Sequence, residues 1–283
     1  MNVLIADSGS SKTDWALIRG NSLITRQQTI GFNPYFHSSE QIQEEIEKNL
    51  LPSLARKGES VDKIFYYGSG CSTSDKCKIV TLALSNAFQI TDAYVDHDLL
   101  AAARALCGVK PGIAAILGTG SNSCLFDGRR IVENVPSVGY LWSDYGGGSQ
   151  IGKFIIRDYF EGEMPADIKA AFELAGYNRE MILDAVYKGG VPSKFLASVS
   201  LFAFQHKQHP FIVKVLEECF SSFFEKQVSK YTGSKSYRIN AVGSIAYFYQ
   251  DQLTDCAKNQ GFEMGTILRS PMEGLIAYHA NNL

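Results

Sequence analysis

The chain has 283 residues, 45% of them apolar and 20% charged, which is ordinary globular composition and excludes disorder, a collagen repeat and a coiled-coil fibre. Its 27 Lys and Arg stand against 29 Asp and Glu, for a net charge of −2, with none of the basic surplus that a nucleic-acid partner requires. No run of ~18 apolar residues is present, so no membrane-spanning helix is expected. The opening Met1–Asp7 has neither a positive n-region nor a small-residue cleavage site, and Cys71, Cys77, Cys107, Cys124, Cys219 and Cys256 form no Cys-x-x-Cys pair. A cytoplasmic protein with reduced thiols, acting on small molecules, is the expectation.

Val3–Ala6 is a short β run ending at Asp7 in a polar turn, Ser8-Gly-Ser-Ser-Lys-Thr13; Trp15–Ile18 follows at once, and Ser22–Thr29 makes a third strand. Strand, tight turn and strand form a hairpin, unlike a strand-to-helix phosphate loop. Ile42, Ile46, Leu50 and Leu54 recur every four residues and predict a helix from Ser38 to about Arg56, capped by Ser38 or Ser39. Then come a strand at Lys63–Tyr67, a helix near Asp75–Phe88, a strand at Ala93–Asp96 and a helix at Leu99–Leu106. Gly108-Val-Lys-Pro-Gly112 is turn chemistry and marks a crossover between domains.

After the crossover the opening theme returns. Ile113–Leu117 is a buried strand ending in Gly118-Thr-Gly-Ser-Asn122, Ser123–Phe126 is the next strand, and Asp127-Gly128 turns into Arg130–Glu133. The remainder is mostly helical: Gly148–Phe160, Ala166–Ala175, Arg179–Tyr187, Ser193–Phe204 and Phe211–Tyr231, the last with a broad apolar face expected to pack in the core. A strand at Tyr237–Val242, a helix from Gly243-Ser244 to Asn259, a strand at Met264–Leu268 and a helix at Pro271–Ala280 complete an α/β protein. His206 and His209, three apart, suit a solvated helix end better than a metal pair.

Neither standard phosphate motif is present. Ser10-Ser11-Lys12-Thr13 lacks the glycines of the P-loop, and Gly118-Thr-Gly120 leads into a strand where the dinucleotide fingerprint needs a helix. Two hairpin loops of small hydroxyl residues remain, about 110 residues apart in the sequence. Small side chains let backbone N–H groups and hydroxyls approach phosphate oxygens. A plain β-turn explains either loop alone. As a duplicated pair, with Asp7 at a strand end able to hold Mg²⁺ through water, they read as a nucleotide phosphate clamp.

Asp7-Ser-Gly-Ser-Ser-Lys-Thr-Asp-Trp15 resembles the first phosphate loop of the actin–hexokinase–Hsp70 superfamily, Gly118–Asn122 resembles the second, and Ala241-Val-Gly-Ser244 is similar to its adenosine segment. Order and spacing are most similar to the branch of N-acetylglucosamine kinases and BadF/BadG/BcrA/BcrD-type ATPases, over essentially the whole chain. The resemblance implies a two-lobed actin-like ATPase (ribonuclease H-like) fold with a duplicated βββαβαβα core. One domain would be 1–110, joined by the C-terminal helix 271–283, and the other 111–270. ATP and Mg²⁺ are the implied cofactors and a small-molecule sugar the implied partner, with no nucleic acid and no membrane; homodimers occur in such kinases.

The same resemblance assigns roles residue by residue. Asp7 would organise Mg²⁺, and Ser10, Ser11 and Lys12 would face the β- and γ-phosphates. Gly118, Thr119 and Gly120 would contact the nucleotide, and Gly243 and Ser244 the adenosine. Asn33, Ser121, Asn122, Gly139 and Asp144 would line the sugar, whose 6-hydroxyl is the implied nucleophile. Asp98 would be the catalytic base as well as a substrate contact. Ser10 replaces a glycine common in the first loop, and Val138 stands where the animal N-acetylglucosamine kinase has tryptophan. Asp96-His97-Asp98 also admits solvated strand-end polar residues or a metal site, with Asp96 the rival base; Asp144 also reads as a turn residue before Gly146. The expected function is ATP-dependent phosphorylation of N-acetylglucosamine or a related amino sugar. The alternatives are a BadF-type ATPase coupling hydrolysis to a partner protein, and a non-catalytic sugar sensor.

Overall fold

The computed structural model describes residues 1–9, 12–56 and 60–282. By contact density the chain divides into two units, Met1–Val109 with Pro271–Leu283, and Lys110–Ser270.

In the first unit β1 (Asn2–Ser8), β2 (Lys12–Arg19) and β3 (Ser22–Ile30) form an antiparallel meander. Then come α1 (Ser39–Glu45), α2 (Leu51–Ala55), β4 (Lys63–Gly68), α3 (Ser74–Phe88), β5 (Ala93–His97) and α4 (Asp98–Cys107). The sheet order is β3-β2-β1-β4-β5, with β4 parallel to both β1 and β5. Val3, Leu4, Ile5 and Ala6 are all fully buried, which is why the central strand reads as a continuous apolar run where an edge strand would alternate.

The second unit repeats the plan. β6 (Gly112–Leu117), β7 (Ser121–Phe126) and β8 (Ile131–Asn134) form the meander. The helices α5 (Gly148–Glu161), α6 (Ala166–Leu174), α7 (Arg179–Tyr187), α8 (Pro192–Ser198), α9 (Ser200–Gln205) and α10 (Pro210–Lys226) are followed by β9 (Arg238–Val242), α11 (Ser244–Phe248), α12 (Gln250–Asn259) and β10 (Glu263–Leu268). The sheet order β8-β7-β6-β9-β10 matches that of the first unit strand for strand. One face of α10 is buried from Ile212 to Phe224 in this unit's core. The closing helix, α13 (Met272–Asn281), returns to the first unit.

Four helices differ from the sequence expectation, and local chemistry explains the clearest case. The expected helix to Arg56 is broken by a π turn at Ile46–Leu50, where Leu51 N–H donates to Ile46 O. Pro52 has no N–H to give and its ring crowds the preceding turn, so a widened turn relieves the clash. The expected helix at Ser193–Phe204 parts at Val199, whose N–H turns to the nearer carbonyl of Leu196 at 3.2 Å. The helix expected to Asn259 parts at Tyr249, which turns out of helical geometry at ψ 26° as its hydroxyl donates to Ser200 O at 2.5 Å. Helix α10 stops at Lys226, and a 3-10 turn at Val228–Lys230 follows.

His209 caps α10, accepting from Phe211 N–H at 3.2 Å, and its Nε2 faces Asp167 at 3.1 Å. Among the described residues no group of three or more His, Cys, Asp or Glu could hold a metal ion, and no helix is long and apolar enough to cross a membrane.

Helix α13 is fastened by a buried polar chain. Arg104 Nη1 donates to Tyr67 Oη at 2.6 Å, so the Tyr67 proton goes on to His279 Nε2 at 2.9 Å. His279 must therefore be neutral, and burial, then Arg104 and Lys63, push its pKa down to about 3. An unfolded histidine titrates near 6.5, so below that pH the unfolded chain binds one proton more and stability falls with pH, by up to about 1.4 kcal/mol per unit. His279→Gln keeps an acceptor without the titration. Urea unfolding at pH 7 and pH 5 should cost the parent protein more stability than the variant; equal losses would show that His279 is not neutral in the fold.

Candidate active site

In both units the chemistry-bearing loops leave the carboxyl edge of the parallel strands, the usual ligand side of an open α/β sheet. In the first unit Ser8, Gly68 and His97 lie in one row at the ends of β1, β4 and β5. That register gathers Asp7, Ser69 and Asp98. In the second, Leu117, Val242 and Leu268 end β6, β9 and β10, and Gly118, Gly243 and Arg269 follow them.

Asp7 is paired across the sheet with Asp14 on β2 and Tyr67 on β4. Burial pushes its carboxyl up to about 7, the nearby charges of Asp98 and Asp14 add to this, and Lys12 opposes it. Lys12 is itself engaged by Asp14 at 2.7 Å. Asp7 thus has two carboxylates and a single ammonium for neighbours, and Asp14 already engages that ammonium, so the surroundings of Asp7 are short of positive charge. Mg²⁺ fits such a site, since it takes one or two carboxylates and completes its shell with water and phosphate. Ser10 and Ser11 lie outside the described residues.

Asp98 is the first residue of α4, and His97 caps that helix by accepting from Leu100 N–H at 3.3 Å. Burial raises the Asp98 pKa, while His97 and the backbone N–H groups of Leu99 and Asp98 lower it. Its rival is committed elsewhere: Asp96 accepts from Tyr94 Oη at 2.5 Å and from His97 N–H at 2.8 Å. Asn33 folds its Oδ1 back onto Tyr35 N–H at 2.9 Å, and its side chain fills the space where a Cβ of Gly70 would stand. Lys76 Nζ pins the same segment through Pro34 O at 2.9 Å.

In the second unit three glycine segments converge. The loop at Gly118 is closed by its N–H donating to Gly120 O at 2.9 Å, and its carbonyls accept from the start of α5: Gly148 N–H to Gly118 O, 2.8 Å, and Ser149 N–H to Thr119 O, 2.9 Å. A Cβ on Gly147 would meet the Gly120 carbonyl carbon at 2.8 Å, and one on Gly243 would meet Leu117 O at 2.2 Å. Gly243 also has φ +124°, a conformation reserved for glycine. Nothing lies within 4 Å of a Cβ built on Gly118, and Thr119 and Ser244 are exposed. Beside the loop, Ser121 Oγ and Ser149 Oγ are buried without a hydrogen-bond partner, donors left over for a bound group.

Asp144 belongs to this loop. It adopts φ +61°, and its Oδ1 accepts from Ser121 N–H at 3.2 Å and Ser137 Oγ at 2.8 Å. A Cβ at Gly120 would overlap the carboxylate, 2.4 Å from Oδ2. Gly139 supplies the turn before it, accepting from Trp142 N–H at 3.1 Å and Ser143 N–H at 2.9 Å. Asn122 is held in the sheet by Asn134 Nδ2, 3.1 Å from its Oδ1. Gly147, Ser149 and the Ser8 hydroxyl were not singled out from the sequence. A Gly-Gly-Gly run at 146–148 was the available signal for the first two.

No protein-family model matches the chain, and no curated protein matches it. Among solved structures, it is similar to a candidate N-acetylglucosamine kinase from Porphyromonas gingivalis, with 38% identity over 99% of each chain and a TM-score of 0.93. A candidate N-acetylglucosamine kinase from Chromobacterium violaceum has 13% identity over 98% of each chain and a TM-score of 0.73. The ROK hexokinase of Thermus thermophilus has 14% identity, covering 98% of this chain and 97% of its own, with a TM-score of 0.55. The last two likenesses are of fold. The first is of sequence as well, and by it the chain belongs to the family of N-acetylglucosamine kinase-like proteins, sugar kinases of the actin-like ATPase fold.

Proposed function

We propose that the protein transfers the γ-phosphoryl group of ATP to N-acetylglucosamine or a closely related amino sugar. The observation that carries the reading is Asp98: a carboxylate made more basic by burial, at the carboxyl edge that also holds Asp7, while the adjacent Asp96 is occupied by Tyr94 and His97. The 38% identity to the Porphyromonas gingivalis protein supports the sugar class.

Phosphoryl transfer asks chiefly for positioning and charge neutralisation. Asp98 accepts the proton of the sugar hydroxyl as its oxygen attacks phosphorus and the bond to the ADP oxygen breaks. Asn33 and Asp144 orient the sugar, Lys12 faces the phosphates, and Gly118, Thr119, Gly120, Gly243 and Ser244 receive the nucleotide. Asp7 would hold Mg²⁺ through water, and the ion supplies neutralisation of the phosphate charge. Asp7→Asn should therefore raise the Mg²⁺ concentration needed for half-maximal turnover about 10–100-fold and leave sugar affinity unchanged by calorimetry. Unchanged Mg²⁺ dependence would remove Asp7 from that role.

The deciding experiment is coupled ADP release over a panel of amino sugars and hexoses. Release stimulated by an amino sugar is the expected result. Equal release with and without every sugar would identify an ATPase that serves a partner protein, and no release would identify a sensor.

A further inference from the structure

Ser8 sits between the Asp7 carboxylate and the turn at Gly9, is fully buried, and has no part in the chemistry described above. Its hydroxyl lies 2.7 Å from Thr13 Oγ1 and accepts from Phe32 N–H at 3.1 Å. Thr13 Oγ1 donates its proton to Ile30 O at 2.9 Å, so within the pair Ser8 is the donor. The bonds form one directed chain, Phe32 N–H to Ser8 Oγ–H to Thr13 Oγ1–H to Ile30 O. It ties the ends of β1, β2 and β3 together.

Ser8 and Thr13 are also the two residues from which the first loop springs, and that loop is closed by Gly9 N–H donating to Lys12 O at 3.0 Å. Phe32 is the residue before Asn33. On the other side the Ser8 carbonyl accepts from Ser69 N–H at 2.8 Å, and the next residue, Gly70, is the one on which the Asn33 carboxamide rests. Asn33 is thus held from two directions, and both supports lead to Ser8. Ser8, Thr13 and Phe32 are all buried. Water cannot take over a broken link there, so the chain shifts as a unit or stays intact as a unit.

We propose that the Ser8–Thr13 hydroxyl pair is a positioning device that couples the first phosphate loop to the Asn33 segment, so that a nucleotide on the loop tightens the hold on the sugar. The proposal rests on the sugar-kinase reading. A nucleotide whose phosphates draw on Gly9 and Lys12, joined by the Gly9 N–H bond to Lys12 O, moves the adjacent Ser8 and Thr13, and the directed bonds carry that movement to Asn33.

The test is the affinity for N-acetylglucosamine, measured by calorimetry with and without Mg²⁺ and adenylyl imidodiphosphate, a nucleotide that cannot transfer its phosphate. The parent protein should bind the sugar about fivefold or more tightly with the nucleotide present, the usual range of coupling between sites. Thr13→Ser keeps the hydroxyl and should keep that factor. Thr13→Val keeps the shape without the hydroxyl; it should bind each ligand while the factor falls below about twofold. Should Thr13→Val fail to fold, Ser8→Ala makes the same cut from the other side. Full coupling in a folded variant that lacks the hydroxyl, or no coupling in the parent, would overturn the proposal. If no amino sugar of the panel binds the parent at all, the sugar-kinase reading itself fails and takes the proposal with it.

Discussion

Asp98→Asn should lower kcat by ~10²–10⁴-fold, the usual contribution of a general base, with the sugar dissociation constant nearly unchanged. Asparagine keeps the size and a hydrogen-bond acceptor but cannot take the hydroxyl proton. Stability supplies a second, opposite readout. Burial raises the pKa of Asp98, so the fold disfavours its charged form at neutral pH, and a neutral amide should leave the unfolding temperature equal or higher. A damaged active site in a fully stable protein is hard to obtain from a residue of purely structural value. Asp96→Asn makes the contrast. Its carboxylate serves Tyr94 and His97, so this variant should keep most of its turnover. If Asp96→Asn is the inactive one and Asp98→Asn turns over normally, the base is Asp96.

Gly243→Ala should have the largest effect on the nucleotide side. The new methyl would stand 2.2 Å from Leu117 O and 3.3 Å from Gly118 N, on a backbone at φ +124°. These are main-chain atoms at the end of a central strand, with no rotamer through which to yield. Strain and overpacking together should cost about 2–5 kcal/mol and displace the Gly118 loop, so ADP affinity should collapse along with stability. Gly118→Ala separates the two effects, because its Cβ meets nothing within 4 Å. It should fold like the parent, and a loss of ADP affinity in it would place the nucleotide on the open face of that glycine. Parent-like stability in Gly243→Ala would mean that β6 and β9 can part more easily than their register implies.

The hairpins were legible because turn residues punctuate short β runs, and the repeated strand-loop-strand unit predicted two similar sheets. The helix breaks were less so. Pro52 was a visible signal inside a regular four-residue period, whereas Val199 and Tyr249 carry none, since a tertiary bond from Tyr249 to Ser200 accompanies one of those breaks. Asp144 shows the limit for the site. A left-handed aspartate looks like any other in a sequence, so its docking on Gly120 could not be read. Glycine patterns were informative only in part: the loop at 118–120 stood out, but its contact partners, Gly147 and Gly243, are brought to it by strands and helices far along the chain. The Ser8–Thr13 pair was hidden because two serine-type hydroxyls in a polar turn ordinarily face water.

The return of α13 to the first unit has a consequence for synthesis. The ribosome completes Met1–Val109 and then the whole of Lys110–Ser270 before Pro271–Leu283 emerges. At ~5–20 residues per second, the sheet face that Leu275 and His279 will cover stays open for roughly 8–35 s. The second unit is continuous in sequence and can close on its own residues during that interval. Tyr67 and Arg104 wait for a partner encoded beyond the second unit, and the bond from Tyr67 to His279 can form only after all of Lys110–Ser270 has been made.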